Sequence, residues 1–227
     1  MKKPAEVFVT SRTFAFLREL AAHNERPWFE RNKPRYLDEV RDPLLRFVAA
    51  CGPRLAKLSP HVVADPRPVG GSLFRIHRDV RFAKDKSPYK THAALSFRHV
   101  EGRERPAPGF YLHLAPGDVF AGAGLWHAPP EAVKQVRDAI VANPASWKRV
   151  TRTCALGAEE DTLKRPPRGY DPTHPCIEDL KRQSFTTGAR FTQAEACAGD
   201  FVERFVGTCR RATPLMAFLA KAVGVPW

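Results

Sequence analysis

The sequence predicts an α+β fold, a mainly antiparallel sheet flanked by helices in a single domain. Three observations lead there. Apolar residues at helical spacing fill both ends of the chain, short alternating segments with turn-sized links lie between them, and regular strand-helix alternation is missing. With 227 residues the chain is long enough to bury a good core and fits one large domain more easily than two. A hydrophobic content of 43% and an aromatic content of 10% argue against disorder.

The helical N-terminal part spans 11–58. Phe14, Leu17 and Leu20, with Phe16 and Ala21, form an apolar stripe from Arg12 to His23, and Thr10 or Ser11 is placed to cap its start. Asn24 ends that helix. Pro27 suits the first turn of a second helix carrying Trp28, Phe29 and Tyr36, with a break or kink expected at Pro34. Leu44, Phe47, Val48, Cys51, Leu55 and Leu58 continue the spacing towards Ser59, with an interruption expected at Gly52-Pro53.

The sheet core is assigned to 72–127 plus 184–190. Prolines and Gly70-Gly71 mark a loop before Ser72, with a short strand at His61 to Ala64. Leu73 to Ala83, Thr91 to Val100, Gly109 to Ala115 and Val119 to Trp126 read as strands. Pro116-Gly117-Asp118 is a turn between the last two. After Pro129-Pro130 a helix runs to Asn143, followed by another from Pro144 to Leu156 containing Trp147. Lys164 to Pro175 reads as a long loop, Ile177 to Gln183 as a helical turn and Ser184 to Arg190 as the last strand. The helical C-terminal part, 193–223, packs Phe201, Phe205, Leu215, Phe218 and Leu219 inward.

A formal charge of +13 favours acidic partners, namely nucleic acid or a phosphate-bearing small molecule, although an arginine-rich proteome also yields basic proteins with no such partner. The five cysteines are scattered without a C-x-x-C pair, as expected of reduced thiols rather than a zinc site. Lys2 and Lys3 precede Pro4-Ala5-Glu6-Val7, which is no apolar leader core, and no run of about 18 apolar residues follows. A cytoplasmic protein that does not enter the membrane is the expectation.

The unusual chemistry lies in Ser72 to His92. Read as a strand, Leu73 to Ala83 puts Phe74, Ile76, Val80 and Phe82 on one face, and Arg75, His77, Asp79 and Arg81 on the other. Arg78 falls on the apolar side, where a bare guanidinium is costly, so it requires an acidic partner, a bulge that turns it outward, or a bound anion. At about 3.3 Å per residue Arg75 and Arg81 stand roughly 20 Å apart, too far for one phosphate. The basic turn from Lys84 to Lys90 follows, with Pro88 biasing Ser87 away from helix.

Arg75, Arg78-Asp79, Arg81-Phe82, Asp85-Lys86 and Tyr89 form the pattern R-x-x-R-D-x-R-F-x-x-x-D-K-x-x-Y. It resembles that of an uncharacterised bacterial family, a domain of unknown function of about this length. The likeness extends to Asn24-Glu25-Arg26-Pro27-Trp28-Phe29 with Asn32-Lys33, and to Gly109-Phe110-Tyr111-Leu112-His113-Leu114. Pro34 departs from the continuous helix expected there. The resemblance implies kinship and brings no activity.

Three functional readings follow from the residues. In the first, Arg75, Arg78, Arg81, Lys84, Lys86, Tyr89 and Lys90 bind a phosphate-bearing ligand, because guanidinium forks and ammonium groups make strong charge-assisted bonds to its oxygens. In the second, a metal-dependent phosphoryl-transfer or phosphodiester-cleaving enzyme uses Asp79 and Asp85 around a cation and His113 as acid or base. In the third, Asp79 and Asp85 simply neutralise the arginines, and the motif braces the fold. No histidine spacing marks a metal site, and Gly122-Ala123-Gly124 lacks the lysine of a phosphate loop, so a tight turn is expected there and no cofactor is assigned.

Overall fold

The computed structural model describes residues 6–158 and 162–227. Three helices open the chain: α1 (Ser11–Ala22), α2 (Arg26–Tyr36) and α3 (Asp42–Leu55). Phe14, Phe16, Leu17 and Leu20 of α1 are buried as their spacing requires. The expected break at Pro34 does not occur. The helix continues, and the next stretch, Leu37–Arg41, widens into a π-helical turn that leads into α3. Such turns absorb a disturbed hydrogen-bond ladder without ending the helix. Thr13 Oγ1 donates to the Glu39 carbonyl at 2.7 Å and ties α1 to that turn. Gly52-Pro53 likewise lies within α3, because Pro53 surrenders only its bond to the exposed Ala49 while Cys51 and Leu55 remain buried.

Four antiparallel strands form one sheet in the order β1-β2-β3-β4: β1 (Ala93–Phe97), β2 (Gly109–Ala115), β3 (Asp118–Leu125) and β4 (Phe185–Phe191). The fold is thus α+β, an antiparallel sheet with helices, as the sequence indicates. Residues along β2 and β3 alternate between buried and half-buried positions. The buried side carries Leu95, Phe97, Phe110, Leu112, Leu114, Val119, Ala121 and Ala123.

Helices α4 (Pro130–Ala142), α5 (Pro144–Thr153), α6 (Ile177–Leu180) and α7 (Gln193–Ala196) precede the long α8 (Phe201–Ala222). Helix α8 serves two buried clusters. Its first half, through Phe201, Phe205 and Cys209, packs with Phe47 and Phe97 under the sheet. Its second half, through Leu215, Leu219 and Ala220, joins Trp147, Val136, Ile140 and Phe185. The Trp147 indole N–H donates to Asp179 at 2.7 Å, which meets the one polar need of that buried ring.

The stretch 72–92 departs from the strand expected over Leu73 to Ala83. Its start does extend the sheet: Phe74 N donates to Ala94 O at 2.9 Å, and Ser96 N to Ser72 O at 2.8 Å. The chain then folds on itself. Lys90 N bonds Ile76 O and Arg78 N bonds Pro88 O, both at 2.8 Å, which leaves residues 79–87 as a projecting loop. Phe82, assigned to the apolar face, is 95% exposed. The physical reason is local: Asp79 and Asp85 each bond the chain two residues ahead, and those turns compete with a sheet ladder. No helix among the described residues is long and apolar enough to cross a membrane.

Candidate ligand-binding face

The hairpin is anchored from below. Asn24, just past α1, donates its amide to Tyr89 O at 2.9 Å and accepts from Tyr89 N at 3.0 Å. Phe29 of α2 stacks on the Tyr89 ring with centroids 4.2 Å apart, and His77 lies beside both rings, 5.2 Å from Tyr89 and 6.1 Å from Phe29. Tyr89 is 2% exposed. It therefore holds the hairpin to the helices, with its ring in the core.

Above this anchor the loop's cations divide into two groups. Arg78 forms an ion pair with Asp85, and Arg81 binds Asp79 at 2.7 Å. The Ser87 hydroxyl and Arg78 hold the Asp85 carboxyl well below the usual range, and Arg81 lowers that of Asp79. Lys86 Nζ caps Val80 O at 3.0 Å. By contrast, Arg75, Lys84 and Lys90 form no ion pair among the described residues, and Lys90 Nζ donates to the Arg75 carbonyl at 3.1 Å. Burial and the neighbouring Arg75 lower the Lys90 pKa.

The fold brings Lys90 to a surface that the strand pattern of 72–92 does not suggest. The side of the sheet turned away from the core presents, in adjacent rows, Ser96, Tyr111, Gly122 and Gly188, then Ala94, His113, Phe120 and Arg190. His113 stacks on Phe120 with centroids 4.9 Å apart and interplanar angle 13°, and Tyr111 lies 5.8 Å from Phe120. Phe74 extends the aromatic row at the β1 edge, 6.5 Å from Tyr111. Cations rim it: Lys90 and Arg98 lie over Phe74 at 5.2 and 5.7 Å, and Arg190 over Phe120 at 5.9 Å. Arg98 forms no ion pair among the described residues, whereas Arg190 binds Asp118 at 2.6 Å.

Gly122 and Gly188 leave a flat shelf beside Tyr111. A Cβ on Gly188 would come within 2.2 Å of Ala121 O, so no larger residue fits there without moving the backbone.

His113, offered by the sequence as an acid or base, lies in this face with His92 at 4.5 Å and shares one hydrogen bond with the Tyr111 hydroxyl at 3.1 Å. Burial pushes the His113 pKa down, and burial with His113 and Lys90 pushes His92 down to about 4. Both rings are neutral at pH 7. Asp79 and Asp85 are bound by arginines in the loop, and among the described residues no group of three or more His, Cys, Asp or Glu side chains is arranged to hold a metal.

The strand period of two by itself puts Tyr111 and His113 on one side of β2. The pairing register was needed to add Phe120, Arg190 and the glycine shelf, and nothing in the local sequence revealed that Phe74, Lys90, His92 and Arg98 converge there.

No protein of curated function matches the chain. Residues 12–218 match the family described as conserved hypothetical protein (DUF2461). The match covers nearly all of the 227 residues, and the chain belongs to that family.

Proposed function

We propose that the protein binds a phosphate-bearing ligand on the aromatic side of its sheet, and that single-stranded nucleic acid is the form this surface suits best. One observation carries the reading: Phe74, Tyr111, His113 and Phe120 lie in a continuous half-exposed row, bordered by cations of which Lys90 and Arg98 form no ion pair among the described residues. Every base has a π-face to stack on such a row, and the cations meet the backbone phosphates. The formal charge of +13 acts in the same direction at long range.

The motif divides under this reading. Arg78, Asp85 and Tyr89 brace the hairpin, Arg75 and Lys90 face the ligand, and Arg81, Lys84 and Lys86 share the projecting loop with the exposed Phe82 as a second contact point. Metal-dependent phosphoryl chemistry at Asp79, Asp85 and His113 is the weaker alternative, because each aspartate already neutralises an arginine. Cytoplasmic residence accords with five free cysteines.

Fluorescence anisotropy with labelled oligothymidine and the matching duplex tests the proposal. The single strand binds more tightly than the duplex, its affinity falls steeply with salt, and the pair Tyr111→Ala and Phe120→Ala weakens it by roughly tenfold or more. Equal affinity in wild type and the aromatic variants refutes the assignment.

A further inference from the structure

The edge of β1 is paired by two separate pieces of chain. Val63 N bonds Arg98 O at 2.8 Å and Val100 N bonds His61 O at 2.7 Å, while residues 72–74 pair further along, beside Ala94 and Ser96. The loop between the pieces is closed by Ser72 N to Asp65 O at 2.8 Å and Asp65 N to Ser72 Oγ at 3.0 Å. Gly71 is required for this closure, since a Cβ there would meet Arg67 O at 2.3 Å and Asp65 O at 2.6 Å. The loop is thus a built wall.

Between that wall and the end of β1 lies a cleft of about 210 Å³, whose polar lining comes from Arg67, Arg98, Arg103, Asp65, Ser96 and His99. Three guanidinium groups face one carboxylate, and that carboxylate is taken: Asp65 accepts from Arg67 Nε at 2.9 Å and from its Nη2 at 2.5 Å. Arg103 is held to the rim by a bond from Nη2 to Gly70 O at 3.0 Å. Arg98 lies over Phe74, an attraction to the ring face that leaves its N–H groups available. His99 accepts from Glu101 N through Nδ1 and directs Nε2 at Pro226 O, so both of its ring nitrogens are already engaged. The cleft therefore carries uncompensated positive charge from two arginines.

Ser96 connects the cleft to the aromatic face, because it lines the one and shares a row with Tyr111 and the glycine shelf in the other. The volume is below the roughly 300–1,000 Å³ of cavities that enclose a whole small-molecule ligand, and so suits one anionic group of a ligand lying outside it. We infer that this cleft is a phosphate subsite, in which Arg98 and Arg103 bind the phosphate of a nucleotide whose base stacks on Tyr111 and the shelf. The inference rests on the face binding a nucleic acid or nucleotide, and it adds residues outside the 72–92 motif to that site.

The test compares wild type with Arg98→Gln, Arg103→Gln, Phe120→Ala and the distant Arg152→Gln, using labelled oligothymidine across a salt series and thymidine 5′-monophosphate by calorimetry. Each of the two cleft variants binds the oligonucleotide roughly tenfold more weakly, about 1.4 kcal/mol. Each also lowers the magnitude of the slope of log K against log salt by about 0.7 for every phosphate no longer neutralised. Phe120→Ala weakens binding with the slope kept, and Arg152→Gln changes neither. Loss of both probes in the cleft variants assigns the subsite to a terminal phosphate, and loss of the oligonucleotide alone assigns it to a strand. Wild-type binding that Phe120→Ala weakens, but that Arg98→Gln and Arg103→Gln leave unaltered in affinity and slope, overturns the subsite while the aromatic face stands. Failure of wild type to bind either probe overturns both.

Discussion

The side chain of Asn24 grips both backbone polar groups of Tyr89, donating at 2.9 Å and accepting at 3.0 Å across 65 residues of sequence. A carboxamide is the side chain that satisfies this pair, since it alone offers a donor and an acceptor in the spacing of a peptide group. With the Phe29 ring stacked on Tyr89, the N-terminal helices fix where the basic hairpin emerges. Asn24→Ala leaves both groups short of a partner and costs about 1–3 kcal/mol. Asn24→Asp keeps the acceptor and loses the donor, and falls between. Urea denaturation of both variants measures this; an Asn24→Ala midpoint equal to wild type would show that water replaces the clamp.

At the hairpin tip the expectation is the reverse. Phe82 is 95% exposed, with the Arg81 guanidinium 5.8 Å from its ring centroid. Phe82→Ser changes stability by less than about 0.5 kcal/mol, as surface replacements do. Oligothymidine binding weakens if the tip stacks on a base, where each stack is worth about 1–3 kcal/mol. Unchanged affinity removes the tip from the binding surface.

Acid exposes the role of Arg78. The Asp85 carboxyl has its pKa lowered by the Ser87 hydroxyl and by Arg78. A carboxylate lowered on folding adds stability that is present above its unfolded pKa, about 3.9, and is lost as pH falls towards the lower folded value. Arg78→Met removes one of these causes and leaves the bonds from Ser87. Its melting temperature is lower than wild type at pH 7, and the gap narrows between about pH 4 and pH 2. A gap that stays constant across that range would place the cost of the substitution in packing.

Histidines on the sheet act in a different window. His92 has a folded pKa of about 4, against about 6.5 unfolded, because burial, His113 and Lys90 all disfavour its cation. The folded state then holds fewer protons than the unfolded one between these values, so stability is full above about pH 6.5 and lost as pH falls towards about 4. His113, lowered by burial, adds in the same sense. His92→Gln flattens the profile there. Proton NMR of the imidazole Cε1–H gives the direct reading, and a His92 midpoint near 6.5 would contradict the environment described.

Much of this architecture was legible in the residues, and the rest was hidden for definable reasons. The stripe of Phe14, Leu17 and Leu20, the alternation of Phe110, Leu112 and Leu114, and Pro130 at a helix start are local signals, and each element formed where they lie. Pro34 and Pro53 misled because a proline's cost falls on one carbonyl, and packing of Tyr36 and Leu55 outweighs it. Leu73 to Ala83 misled because its alternation of apolar and charged residues matched a strand, while the turns in which Asp79 and Asp85 bond the backbone two residues ahead favoured a loop. The site was half visible. Arg75 and Lys90 lie in the stretch singled out by its charge, but Phe74 meets Tyr111, and His92 meets His113, through pairings between distant segments that no local pattern encodes.

Helix α8 gives its first half to the cluster beneath the sheet and its second to the one around Trp147. The two clusters accordingly share a single covalent spine, so neither can melt while the other keeps its full complement of partners. Amide exchange in Phe97 and in Trp147 should slow to the same limit, and a chain cut short ahead of Phe201 would lose the floor of the sheet together with the seat of that tryptophan.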